Sequence, residues 1–323
     1  MIMNLGVALA LAATLGAPPA QPPTGKLPGT KAVIVAKMAG RPIQLTSYGA
    51  PTPSRPHDGS WAWDPAKRAF VAADGTLSVS PDERWAALLH ESRGLGVPKV
   101  TVTDRETGER TEIELPVPQD PTRENGYLHT LWPTWSPDAR HLLLNVFEAG
   151  GEPRSAGIVL IETPTLKPRF VRIDKALITV GGFQWTRDGK GVVVRWGKNG
   201  KTSIRQYDLE GAVKRTWKVR GRPVAQGQGT FTPSGRRFVT ACMSLESSAC
   251  VWDTTTGKAV TRVKLPSSPV WGSVLGWYDE RRLIAATGKG IGVIDLKGKV
   301  VETLVTLGKN QHFYPRFEAR ERG

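Results

Sequence analysis

The sequence predicts an all-β fold: a β-propeller of six four-stranded antiparallel blades, with seven as the alternative count. Three observations carry this expectation. The first is a turn pattern that recurs as Ser80-Pro81-Asp82-Glu83-Arg84, Ser136-Pro137-Asp138-Ala139-Arg140, Thr186-Arg187-Asp188-Gly189-Lys190, Thr232-Pro233-Ser234-Gly235-Arg236 and, more loosely, Tyr278-Asp279-Glu280-Arg281-Arg282. Successive copies lie 56, 50, 46 and 46 residues apart, and self-similarity at such a period means that one supersecondary unit is reused. The second is an independent turn that opens on an acidic residue at Asp64, Asp104, Glu162, Asp208, Asp253 and Asp295. Each copy implies one blade. The third is composition: 35 Gly and 25 Pro supply turns, while 39% hydrophobic residues and 11 Trp supply a large core for 323 residues, a length at which all-β arrays still run as one domain.

Taken in order, the chain opens with an uncharged apolar run, Leu5 to Leu15, followed by Gly16-Ala17-Pro18-Pro19-Ala20. This is the pattern of a secretory h-region and its small-residue cleavage zone, although no Lys or Arg precedes Lys26. The run is shorter than the roughly 20 residues that a bilayer demands. The expectation is therefore a secreted or cell-envelope protein without a membrane span once the signal is cleaved, with an uncleaved N-terminal anchor as the alternative. Residues 1–25 are assigned to signal peptide and linker and residues 26–323 to a single propeller domain; the Pro-, Gly- and Thr-rich stretch Gln21 to Lys31 reads as linker.

The blade containing Asp64 has no Ser-Pro-Asp turn of its own, so it is expected to be assembled from both chain ends. Phe313 to Arg320 alternates in the manner of a strand and is available to close the ring with the N-terminal blade, which would remove exposed edges. In the blade from Leu131 to Asp174, the predicted strands are Trp132 to Trp135, His141 to Phe147, Gly157 to Glu162 and Pro168 to Ile173. The run Leu142-Leu143-Leu144 lacks alternation, which suits a strand buried on both faces. Cys242 and Cys250, the two cysteines of the chain, flank a predicted hairpin loop from Ser244 to Ser248. Opposite each other on adjacent strands they could form a disulfide in an oxidising compartment, or pack as two small buried hydrophobes.

Trp135-Ser136-Pro137-Asp138 followed by a buried strand resembles the repeat of TolB-like propellers, and Val251-Trp252-Asp253-Thr254-Thr255-Thr256-Gly257 resembles a strand end of WD-repeat proteins. The resemblance spans residues 60 to 320. It implies a propeller, with an envelope role by analogy. The chain departs from the pattern in keeping Gly in only two of the five first turns and in lacking a Gly-His dipeptide before the blades, and it has no room for the N-terminal α/β domain of TolB.

In a four-stranded meander the first-to-second and third-to-fourth connections share one end. The regular turns are therefore expected to crowd one face, and the irregular loops, where binding usually resides, the other. Those loops are Glu91 to Pro98, Val117 to Leu131, Ala149 to Ala156, Gly197 to Lys201, Arg222 to Gln228 and Ser244 to Ser248. The ligand-binding candidates drawn from this face are Arg123, Tyr127, His129, Trp132, Arg154, Gln226, Gln228 and Trp271. A non-catalytic scaffold that binds a protein or peptide of the cell envelope, as a monomer, is the leading expectation.

Charge offers a second reading. The chain has a formal net charge of +15, and Arg187 to Arg222 carries 11 basic and 3 acidic residues. Arg195, Lys198, Lys201, Arg205, Lys218 and Arg220 form a candidate basic patch for an anionic envelope polymer, although basic side chains on an outermost strand also serve to discourage edge pairing. Nucleic acid is disfavoured by export and by the lack of a reading helix. The histidines His57, His90, His129, His141 and His312 show no metal-ligand spacing, and no nucleophile elbow or phosphate loop occurs, so no catalytic residue, metal or cofactor is assigned. A glycan-acting enzyme using Glu91, Glu124 and Glu148 at the channel mouth is the remaining alternative.

Overall fold

The structure is a computed structural model, and it describes residues 21–50, 59–90, 97–120, 127–148, 154–174, 176–178, 182–198, 201–242, 248–266, 274–309 and 311–320. Their regular elements are all β-strands. The recurrent turns explain why. In three of them the hydroxyl at the first position donates to the carboxylate two residues on: Ser80 to Asp82 at 2.5 Å, Ser136 to Asp138 at 2.6 Å and Thr186 to Asp188 at 2.6 Å. The same carboxylates accept the backbone N–H groups of Arg84, Arg140 and Lys190. The Asp turns work alike, with Oδ1 of Asp64, Asp104, Asp208 and Asp295 accepting the N–H two residues on. A short side-chain acceptor thus replaces a backbone partner in a tight reversal.

Between these turns lie four-stranded antiparallel meanders. Thr76–Val79, Trp85–Leu89, Lys99–Asp104 and Arg110–Glu114 form one sheet; His129–Trp135, His141–Glu148, Arg154–Glu162 and Lys167–Arg172 form the next. Gln184–Trp185, Gly191–Lys198, Lys201–Asp208 and Val213–Trp217 form a third, and Arg222–Pro223, Arg237–Ala241, Ser248–Asp253 and Ala259–Lys264 a fourth. An eleven-stranded sheet contains two further four-stranded runs. One is Val274–Trp277, Arg282–Thr287, Gly290–Asp295 and Val300–Thr306. In the other the C-terminal strand Tyr314–Ala319 pairs antiparallel with Ile43–Gly49, which continues through Gly59–Asp64 to Ala69–Asp74. The expected pairing of the two chain ends is therefore observed.

The cores lie between neighbouring sheets. Leu142, Leu144 and Val146 pack with Trp85, Val100 and Val102 of the preceding sheet, while Leu143 and Phe147 pack with Phe183, Val192 and Val194 of the following one. Both faces of His141–Glu148 are buried, as the run Leu142-Leu143-Leu144 predicts. Asn145, fully buried on that strand, joins two sheets. Its Oδ1 accepts the Phe183 N–H at 2.7 Å, and its Nδ2 donates to Leu131 and Trp132 carbonyls at 3.4 and 3.3 Å.

Some boundaries differ from expectation. Gly25–Lys26 pairs with Val33–Ile34, which extends the sheet edge beyond Val300–Thr306, and Leu27, Ala32 and Met38 are buried. The stretch Gln21 to Lys31 thus pairs with the sheet edge through Gly25–Lys26 and is anchored by the buried Leu27, while most of its other residues are exposed. Arg154 to Ala156 belong to a strand where a loop was expected, and Cys242 and Cys250 form a disulfide with Cα atoms 5.7 Å apart. The pair is diagonal: Cys250 lies opposite Thr240, and the Cys242 N–H donates to the Ser248 carbonyl. The predicted signal, residues 1–20, lies outside the described residues. Among the described residues no helix is long and apolar enough to cross a membrane.

Candidate functional site

The inner strands of the meanders carry equivalent residues at one level. Ser78 pairs with Ala87, Thr134 with Leu143, Gln184 with Val193, Gly276 with Ile284 and Glu318 with Gln44, each one step short of its strand's end at the regular turns. Tryptophans one residue further on tie these levels together. The indole N–H of Trp135 donates to Ser78 O at 3.3 Å, that of Trp185 to Thr134 O at 3.2 Å, and that of Trp277 to Thr230 O at 3.0 Å.

The fourth sheet breaks this regularity. After Arg222–Pro223 the chain leaves the sheet as Val224 to Gly229, and Gln226–Gly227 forms a short parallel strand beside Val274–Trp277 and Tyr314–Ala319. It rejoins at Phe231, which bridges Phe238. Two glycines permit this close approach. A Cβ on Gly276 would fall 1.7 Å from Gln226 O, and one on Gly227, whose φ is +65°, would fall 2.4 Å from Trp277 O.

Beside this inserted segment lies a cavity of 60 Å³, bounded by the inner-strand residues Thr134, Gln184, Arg316 and Glu318, by the indoles of Trp135 and Trp185, and by the turn residues Pro81, Pro137 and Arg187. It therefore opens at the regular-turn end. Arg316 and Glu318 are half-buried two residues apart on one strand, while Pro315 and Phe317 between and before them are buried in the core. Arg316 donates to Pro133 O at 3.4 Å, and no ion pair joins it to Glu318. Burial pushes the Glu318 carboxyl up to about 8, against the opposing pull of the nearby Arg316 charge. Burial also draws the Arg316 guanidinium downward. Thr134 Oγ1 and Gln226 Oε1 are enclosed without a hydrogen-bond partner, and Ser78 Oγ, Gln44 Oε1 and Glu83 Oε2 are likewise unpartnered. Buried polar atoms are seldom left so.

Gln226 and Gln228 were expected on the irregular-loop face, and the inserted segment places them at the opposite end instead. Gln228 Nε2 donates to Pro42 O at 2.8 Å. The excursion is invisible in the sequence because it depends on Gly276 and Gly227, which meet only in three dimensions. Tyr127, His129, Trp132 and Arg154 do lie at the irregular-loop end. His129 and Trp132 both pack on Phe147, at ring-centroid distances of 5.4 and 6.1 Å. Trp132 sits at a bulge with φ +54°, Tyr127 bridges Gln119, and exposed Arg154 lies opposite Glu148. Arg123 and Trp271 lie outside the described residues, as do Glu91 and Glu124 of the carboxylate alternative; Glu148 is exposed at a strand end.

The basic patch is uneven. Lys201, Lys218 and Arg220 are exposed, Arg195 is half-buried, and the Arg205 guanidinium lies 3.4 Å from the centre of the Trp196 ring, so its charge is engaged within the sheet. The side chain of Lys198 lies outside the described residues.

No protein-family model matches the chain, and no curated protein matches it. Solved structures do. TolB from Acinetobacter baumannii aligns with a TM-score of 0.49 at 18% identity, covering 89% of this chain and 68% of TolB. The Cps50 (Swd1) β-propeller domain from Myceliophteria thermophila aligns with a TM-score of 0.46 at 14% identity over 73% of this chain and 90% of that one. A protein of unknown function from Bacteroides caccae aligns with a TM-score of 0.50 at 11% identity over 86% of this chain and all, 100%, of the other. TolB and WD-type propeller domains are thus among the chain's structural neighbours, and at these identities the likeness is one of fold.

Proposed function

We propose that the chain is an exported six-bladed propeller, closed by pairing of its two ends, that serves as a non-catalytic scaffold and docks a protein or peptide partner at the regular-turn mouth of its channel. The observation that carries this reading is the polar cavity at that mouth, ringed by turns on a rigid frame and floored by the inserted Gln226–Gly227 strand. A disulfide between Cys242 and Cys250 agrees with an oxidising compartment. The test is selection of displayed peptides on the full chain, followed by Arg187→Glu at the exposed rim and Tyr127→Ala at the far end. Selected peptides are expected to lose binding to the Arg187 variant and keep it with the Tyr127 variant. Recovery of no peptide, or the opposite pattern, refutes the reading.

A second reading, electrostatic binding of an anionic envelope polymer, is supported by the exposed Lys201 on the third sheet and the exposed Lys218 and Arg220 just beyond its outer strand Val213–Trp217. Such binding to a polyanion probe such as heparin would weaken as salt rises from 50 to about 300 mM, where the Debye length shrinks below about 10 Å; binding indifferent to salt excludes it.

A further inference from the structure

We propose that the cavity at the regular-turn end of the channel binds a carboxylate group, paired with the Arg316 guanidinium and hydrogen-bonded by Thr134 and Gln226. This deepens the docking proposal, since it names the chemistry that a partner would present there.

Four observations converge. Arg316 faces a cavity and, among the described residues, has no carboxylate within ion-pair distance; its hydrogen bond there is a 3.4 Å contact to the Pro133 carbonyl. A guanidinium in an enclosed site is more weakly hydrated than an ammonium and matches a carboxylate in two parallel bonds. Thr134 and Gln226 each hold an unpartnered polar atom there. The hydroxyl can donate to an anion, and the amide can present its NH₂ by turning over. Arg187 at the rim adds a second positive charge on the approach. The cavity volume of 60 Å³ admits a small polar group and no large ligand.

Glu318 decides the sign of the site. The charged and titratable groups around it are Arg316 on its own strand, Arg187 on the facing turn, Arg320 just beyond it, and Glu83, whose carboxylate is held by the amide of Gln44 opposite Glu318 in register. With its carboxyl raised to about 8, Glu318 is neutral at pH 6 and can donate a hydrogen bond to a ligand carboxylate. Once ionised it would repel the same ligand and cancel the Arg316 charge. An ammonium ligand meets the reverse difficulty, because Arg316 and Arg187 oppose it.

The carboxylate could belong to an acidic side chain or to a peptide C-terminus. The experiment titrates the full chain with acetate, acetamide and methylammonium, following the indole N–H resonances of Trp135 and Trp185. It then repeats the titration with three N-acetylated tripeptides: Gly-Gly-Gly with a free C-terminus, Gly-Gly-Gly amide and Gly-Asp-Gly amide. Acetate is expected to shift both indoles saturably at pH 6, whereas acetamide and methylammonium do not. Its apparent Kd should rise about 30-fold between pH 6 and pH 9.5, as ionisation around pH 8 removes the competent form. Glu318→Gln should bind acetate equally at both pH values. Arg316→Gln should weaken binding at least tenfold, with Arg316→Lys recovering part of it and reporting that the fold is intact. Stronger binding by the free-terminus or the Asp peptide identifies the source.

Acetate binding no tighter than acetamide, preference for methylammonium, or indifference to both Arg316 variants overturns the proposal. If displayed peptides bind at the Arg187 rim without needing a carboxylate, this inference falls and the docking proposal stands. If acetate binds and no peptide does, the outcome is reversed.

Discussion

Replacement of Asn145 by Ala is expected to cost about 3 kcal/mol of stability. The side chain has no exposed surface and joins two sheets through three hydrogen bonds. Its 2.7 Å bond to the Phe183 N–H is the strong one, and stranding that buried donor costs about 1–3 kcal/mol. The bonds to Leu131 and Trp132 carbonyls, at 3.4 and 3.3 Å, are long; their carbonyls are only partly buried, and about 0.5 kcal/mol each is a fair allowance. Asn145→Asp separates the two roles. It keeps an acceptor for Phe183 and turns a second oxygen toward two carbonyls, so a protonated carboxyl is favoured in the folded state. A folded-state value raised above the unfolded one, about 3.9, gives stability that is present below that value and lost as pH rises through the folded value. The Asp variant should therefore lie closest to wild type near pH 4 and fall away by pH 7. Urea midpoints at both pH values, followed by tryptophan fluorescence with the slope unchanged, check both variants. An Ala variant within 1 kcal/mol of wild type, or an Asp variant whose deficit ignores pH, refutes the account of Asn145 as the joint between these sheets.

Three further outcomes are expected. Asp138→Ala removes the acceptor for both Ser136 Oγ and the Arg140 N–H and should lower stability by about 1 kcal/mol in the same urea assay, while Asp138→Asn should cost less. Gly276→Ala places a methyl group 1.7 Å from Gln226 O and must displace the inserted strand, so amide exchange over residues 224–230 should quicken markedly while the strands from Arg282 to Thr306 stay protected. For Glu318, a folded-state value near 8 against an ordinary value of 4.5 means a contribution intact below about pH 4.5 and lost as pH rises to 8. Glu318→Gln should accordingly match wild type at pH 4 and exceed it in urea resistance at pH 8.5; equal midpoints at pH 8.5 would show that the carboxyl is not desolvated.

The turns were legible because their chemistry is local. A Ser or Thr with an Asp two residues on contains both partners of its own hydrogen bond, so five residues suffice to specify the reversal at Ser136 or Thr186. The double burial of the strand was legible for a related reason, since the run Leu142-Leu143-Leu144 puts leucine on both of its faces and leaves neither polar. Tyr127, His129 and Trp132 are aromatic and polar residues in or beside a long loop, yet the latter two pack on Phe147, a contact that composition alone does not distinguish from a binding surface. The disulfide was readable as a pairing of Cys242 with Cys250, while its diagonal register was not.

What the amino-acid order determined by itself was the repeating unit: turns at fixed offsets, strands between them, and a C-terminal segment with the alternation to pair with the N-terminal one. Only the tertiary structure decided which end of the inner strands holds the cavity. That outcome hangs on Gly276 and Gly227 letting a six-residue excursion reach the inner strands, and on Arg316 and Glu318 meeting Thr134 and Gln226 there. These residues lie tens to hundreds of positions apart, and their burial, the unpartnered atoms and the raised Glu318 carboxyl are properties of the assembled sheets rather than of any local segment.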